Sequence, residues 1–205
     1  IALGPGVWRI NAGGVLRDYT CVRIVGELTL ERTTVDAAQR VCLRLDPIDG
    51  VAECALVQSK GQPDLPAAWP AYQRVREAVA ADFRRYRSGY RHLPDARGTA
   101  VDHATYQNWS CLLSPHGHLR RAGMLMSKNW MANVWSWDHC FNALALAKAD
   151  PELAWDQFML IFDHQLTSGQ LPDMINDQVR QYNIVKPPIH GWTIDWMLRL
   201  QPSLA

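Results

Sequence analysis

Apolar and polar positions alternate in short runs over the first 60 residues and then change to a three-and-four-residue rhythm, so two regions of different architecture are expected. In the first region, Cys21-Val22-Arg23-Ile24-Val25, Val41-Cys42-Leu43-Arg44-Leu45 and Ala52-Glu53-Cys54-Ala55-Leu56-Val57 read as strands. The turn signals Gly13-Gly14 and Asp49-Gly50 separate them, which is the pattern of a small antiparallel β region. Gly61-Gln62-Pro63-Asp64-Leu65-Pro66 holds three helix-hostile residues and reads as a linker.

From Pro70 onward, Tyr72, Val75, Val79, Phe83 and Tyr86 recur at helical steps and predict a helix with one apolar stripe. A second helix is expected from Thr99 to Leu113, ending before Ser114-Pro115-His116-Gly117. Residues 119–136 have no clean period, which fits a buried loop or short strands. After Asp138, the positions Cys140, Phe141, Leu144 and Ala147 fall on one helix face. Asp150-Pro151-Glu152 is a strong helix start, with Asp as N-cap and Pro where its missing N–H costs nothing. That helix carries Leu153, Phe158, Leu160, Ile161 and Phe162 and is expected to stop at Ser168-Gly169. A last helix should begin near His190. Helix following helix without intervening strands points to paired helices and against a parallel sheet.

Composition narrows the function classes. With 48% apolar and 20% charged residues in 205, the chain can bury a real core. Net charge is +1, with no basic excess of the kind nucleic-acid binding leaves. Arg84, Arg85, Arg87 and Arg91 spread around a helix and read as a solvated face. No apolar run approaches the roughly 18 residues of a membrane span. The five cysteines, never in a CxxC pair, suggest reduced thiols and a cytoplasmic location. Ile1 in place of Met suggests a start processed, cloned away or never captured. Gly-rich phosphate loops and a serine nucleophile elbow are absent, and no cofactor is expected. His116-Gly117-His118 offers two imidazoles but no neighbouring third ligand, so no metal is assigned.

All six Met and seven of the nine Trp lie beyond residue 108, and chemistry concentrates there too. The densest stretch is Ser127-Lys128-Asn129-Trp130-Met131-Ala132-Asn133-Val134-Trp135-Ser136-Trp137-Asp138-His139-Cys140-Phe141. Indole faces suit the C–H patches of a pyranose, and carboxylates or amides suit its hydroxyls. If 134–137 is extended, Trp135 and Trp137 point the same way. The competing reading is packing: tryptophans fill cores, and an Asp that opens a helix needs no function beyond the cap. A second constellation, Leu171-Pro172-Asp173-Met174-Ile175-Asn176-Asp177-Gln178 followed by Lys186-Pro187-Pro188-Ile189-His190-Gly191-Trp192, either delivers side chains to a pocket mouth or simply starts a helix.

These segments, SKNWMANVWSWDHCFNALALA, DPELAWDQFMLIFDHQLTSGQLPDMIND and KPPIHGW in that order, resemble the six-hairpin glycosidases, in particular the group of family 63 processing α-glucosidases and mannosylglycerate and glucosylglycerate hydrolases. The similarity runs over about residues 105–198. It implies a mainly α fold, a partial (α/α)6 barrel preceded by a small antiparallel β region. Residues 1–65 would then be the C-terminal part of a β-sandwich-like domain with its linker, and 66–205 the N-terminal portion of the catalytic barrel. It further implies an inverting α-glycosidase acting on an α-linked oligosaccharide or glycosyl-glycerate type of substrate. Trp135, Trp137 and Asp138 match the −1 subsite wall and its hydroxyl-gripping carboxylate, with Trp130 and Asn133 as further substrate contacts. Lys186 stands where many relatives carry a sugar-contacting Gln. The general acid and base are expected beyond the C-terminus, so the chain reads as a fragment, inactive alone and dependent on the missing barrel segment. Asp138, Asp173 and Asp177 would be the acid and base candidates if it did turn over. A noncatalytic carbohydrate-binding module and a helical interaction domain are the alternatives.

Overall fold

The computed structural model describes residues 2–11, 18–35, 38–59, 64–94, 97–127 and 132–204. The chain divides into two compact units, Ile1–Glu77 and Ala78–Ala205.

The first unit is antiparallel β. Strands β1 (Ala2–Gly4), β2 (Val7–Asn11), β3 (Asp18–Val25) and β6 (Glu53–Ser59) form a four-stranded sheet in the order β1-β2-β3-β6, and β4 (Glu27–Val35) pairs with β5 (Ala38–Asp46). Along β4–β5, Leu28 faces Leu45 and Leu30 faces Leu43, the cross-strand leucine pairs that a period of two produces. One residue, Gly26 at φ 109°, carries the chain from β3 into β4, and a Cβ there would meet the Asp46 carbonyl. The Asp49-Gly50 turn forms as expected, with φ of 50° and 77°, the positive pair that tight hairpins favour. The sequence pattern located β3, β5 and β6 but not β1, β2 or β4. Glu27–Val35 mixes Thr, Glu and Arg with its leucines, and its strand character comes from pairing with β5. Gly13-Gly14 and Gly61–Pro63 lie outside the described residues, and Asp64–Pro66 has no regular structure.

Helix α1 (Tyr72–Ser88) crosses the boundary between the units. Its expected stripe is only half used: Tyr72, Val75 and Val79 are exposed, whereas Phe83 packs against Tyr106 and Trp109. Arg84, Arg85 and Arg91 face solvent as expected, Arg85 pairing with Asp82, whereas Arg87 is half-buried and pairs with Asp102 at 2.6 Å. Helix α2 (Gly98–Trp109) stops four residues before the expected Leu113, because Leu112 and Leu113 form β7, which pairs with β8 (Gly123–Met124).

Helices α3 (Asp138–Leu146), α4 (Pro151–Met159) and α5 (His190–Leu200) form the centre of the second unit, α3 packing on both others. Asp150 caps α4 as expected, accepting the Leu153 N–H at 3.0 Å. The helix ends at Met159, well before Ser168-Gly169, and a 3-10 turn over Phe162–His164 follows. Ending there leaves Leu160 and Ile161 in a turn, where they enter a second core cluster with Leu119, Val134 and Ile175. The main cluster joins Cys111, Met124, Cys140, Ala143, Leu146, Ala147, Ala154, Phe158 and Met197. Burying each large aliphatic side chain contributes about 1.5–3 kcal/mol. Fully buried Gln157 bonds both to the Met124 N–H and to its carbonyl, extending β8 with a side chain that stands in for a strand. The observed fold is five helices with small antiparallel sheets among the described residues.

Candidate functional site

The residues with most chemistry meet where three short strands turn into two helices. Strands β9 (Val134–Trp135), β10 (Met174–Ile175) and β11 (Arg180–Gln181) form a sheet in the order β11-β10-β9, with Trp135 opposite Met174. Short strands had been one of the two expectations for 119–136, but β10 and β11 were not foreseen. Extension stops at Trp135: Ser136 and Trp137 form a turn, Trp137 is the N-cap of α3 and Asp138 its first helical residue. This corrects both the extended reading of 134–137 and the placing of Asp138 as a cap. Asp138 therefore sits in the positive end of the helix dipole without being consumed by capping.

Lys186 ties this region together. Leaving β11, the chain approaches α5 through Pro187-Pro188, and the Pro187 ring disfavours helical backbone at Lys186. Its Nζ lies 3.1 Å from Asp173 Oδ1 and 5.0 Å from the centre of the Trp135 ring. Asp173 is 1% exposed and neither of its oxygens takes an aligned hydrogen bond, so the lysine charge is what offsets its burial. The Asp173 main chain is fixed as well, its N–H donating to the Gln181 carbonyl and its carbonyl accepting the Ser136 N–H at 2.9 Å. Partial burial pushes the Asp138 carboxyl above its usual range, against the opposing pull of its own backbone N–H, of the Lys186 charge and of a hydrogen bond from the Trp137 side chain. One ammonium thus faces two carboxylates beside an indole whose N–H is buried and unpartnered.

An aromatic row continues outward from Asp138. Trp137 contacts Phe141 with ring centres 6.0 Å apart, Phe141 contacts Trp192 at 6.1 Å, and Trp192 contacts Trp196 at 6.3 Å. All four are exposed, between 37% and 49%. Phe141 had been read as a buried-face residue and Trp192 only as part of a helix entrance. A spacing rule within one helix misses such a row, because it is assembled from α3 and α5 together. Asp173 was missed as the partner of Lys186 for the same reason.

The remaining candidates separate from this group. The Asn133 side-chain oxygen accepts the Asn176 amide at 2.9 Å, and Asn176 in turn caps the Gln178 and Val179 N–H groups, so Asn133 is engaged at the end of the small sheet. Trp130 lies outside the described residues. His116 donates from Nδ1 to the Ser114 carbonyl at 2.8 Å and approaches Asp177, consistent with a turn residue. A cavity of about 770 Å³ opens between α1, α2 and the start of α4, lined among others by Asp82, Tyr86, Trp109 and Asp150, and another of about 480 Å³ adjoins Arg121. Neither includes Trp135, Trp137, Asp138 or Lys186.

Beneath the aromatic row, three protonatable groups meet, His139 and Cys140 buried and His190 half-buried. Burial lowers His139 to about 3, with the neighbouring His190 adding to the effect, and lowers His190 too. Burial also raises the Cys140 thiol to about 11.

Residues 131–205, a little over a third of the chain, match the family model described as the mannosylglycerate hydrolase MGH1-like glycoside hydrolase domain. The matched stretch contains Trp135, Trp137, Asp138 and Lys186 and agrees with the resemblance carried by their motifs. No curated protein matches the chain. No helix among the described residues is long and apolar enough to cross a membrane.

Proposed function

We propose that this chain supplies the sugar-holding part of a glycoside hydrolase, an inverting α-glycosidase whose helices build an (α/α)6 barrel. The observation that carries the reading is the group formed by Asp138, Trp137, Trp135 and Lys186: a partly exposed carboxylate flanked by two indoles and an ammonium, inside the stretch that matches a glycoside hydrolase domain. Asp138 accepts from sugar hydroxyls, Lys186 donates to a neighbouring oxygen, and the exposed Trp137 face covers ring C–H groups. The sequence resemblance alone adds Trp130 and Asn133 to the proposed contacts.

Inverting hydrolysis requires a protonated acid and a separate base, held roughly 6.5–9.5 Å apart around the scissile bond. Asp138 and Asp173 do not make that pair. Asp173 is buried against Lys186, which leaves Asp138 as the one carboxylate of the two that a substrate can reach. The chain alone is therefore expected to bind and not to turn over.

Intrinsic tryptophan fluorescence titrated with glucose, mannose, trehalose and glucosylglycerate tests this. A saturable change with at least one of them is expected. A flat response to all four would reject the sugar site and favour a protein-interaction role for the same aromatic row.

A further inference from the structure

We propose that His139, Cys140 and His190 form a binding site for a single zinc-type cation, pinning the start of α3 to the start of α5 behind the aromatic row. One ligand atom from each of the three lies within 4.8 Å of those of the other two. Residue spacing hides this set, since fifty residues separate His190 from its partners.

Two features make it a cation site rather than an incidental contact. First, each imidazole is oriented as ligating histidines are, with a main-chain carbonyl beside the ring. His139 donates from Nδ1 to the Trp135 carbonyl at 3.1 Å, and its Nε2 lies 3.8 Å from Cys140 Sγ. The His190 ring lies beside the Ser136 carbonyl, while its Nε2 is enclosed and without a hydrogen-bond partner. Second, His139 and Cys140 are fully buried and the two imidazole centres are 5.2 Å apart, so the donors are held by packing. Two imidazoles and a thiolate are the borderline-soft set that suits zinc, with one position left for a fourth ligand.

On binding, the Cys140 S–H bond breaks as the S–metal bond forms, the thiol proton leaves to solvent, and nothing is oxidised or reduced. One proton released per ion makes apparent affinity rise about tenfold per pH unit.

Cobalt(II) titration of the chelator-treated full chain tests the site. Expected are one-to-one saturation, a thiolate-to-cobalt band in the near ultraviolet and competition by zinc. Cys140→Ser should abolish that band, and His190→Gln should weaken binding at least about tenfold with far-ultraviolet circular dichroism unchanged. Absence of the band in the wild type overturns the proposal, as does its survival in Cys140→Ser, which would place the metal on another cysteine. Should Cys140→Ser fail to fold, His190→Gln decides alone: undiminished cobalt affinity overturns the site. Sugar binding is read separately by fluorescence, so this site and the proposed function fail independently.

Discussion

Helices α3 and α5 each have two faces, and the faces differ more than the helices do. Inward, Cys140, Ala143, Leu146 and Met197 are fully buried. Outward, Phe141, Trp192 and Trp196 leave more than two fifths of their surface in water. Hydrophobicity does not separate the two sets, since the outward one is richer in aromatic carbon. Adding an aromatic row to the outside brings no stability the inner face lacks, and a contiguous exposed patch of this kind marks a place where something binds. The core and the proposed sugar site thus lie on opposite sides of the same helices, and this separation can be broken by mutation.

Lys186→Met should have the largest effect on stability, because it leaves Asp173 buried without its counter-charge. A loss of about 3–5 kcal/mol in urea unfolding is expected. The double variant Lys186→Met with Asp173→Asn should recover most of it. Failure to recover would mean that the lysine acts chiefly through Trp135. On the inner face, Met197→Ala should cost about 2–5 kcal/mol through the cavity it opens. Trp192→Ala, on the outer face, should stay within about 0.5 kcal/mol of the wild type while weakening any sugar response. Equal losses for Met197→Ala and Trp192→Ala would erase the distinction between the faces.

Acid sharpens the same contrast. The unfolded chain binds a proton on histidine near pH 6.5, but buried His139 stays neutral down to about 3. Between those values the unfolded state holds more protons, so stability is lost as pH falls, by about 1.4 kcal/mol per unit from this residue. His164 and His190 are shifted in the same direction. In chelator-treated protein, His139→Gln should flatten the pH dependence of the unfolding midpoint, whereas Phe141→Ala should leave its slope as it was. Among the variants expected to destabilise, Asp150→Ala should do so least, by about 1 kcal/mol from the lost α4 cap, measurable as a lower thermal midpoint.

Features written within a few consecutive residues were legible in the sequence. Asp150-Pro151 announced α4, Asp49-Gly50 its hairpin, and the W-S-W-D run the candidate site. Features assembled from distant segments were not. The short strands β10 and β11 are two residues each, too short for any period, and exist because β9 offers a pairing edge. Leu112-Leu113 satisfies a helical stripe as well as a strand, and pairing with Gly123–Met124 decides it. Phe141 shares a helical stripe with core residues yet lies at the edge where α3 meets α5, so periodicity placed it inside. The Lys186–Asp173 pair spans a loop whose path no local rule specifies.

The central claim is that the outward face, through Asp138 and its indoles, holds a sugar. Saturation-transfer difference NMR on the wild type and on Asp138→Ala, with the sugar that gives the strongest fluorescence response, measures this at the atoms concerned. The account predicts transfer to pyranose ring protons in the wild type and its loss in a variant that unfolds at the same urea concentration. Undiminished transfer to the variant, or none to the wild type at millimolar sugar, would contradict it.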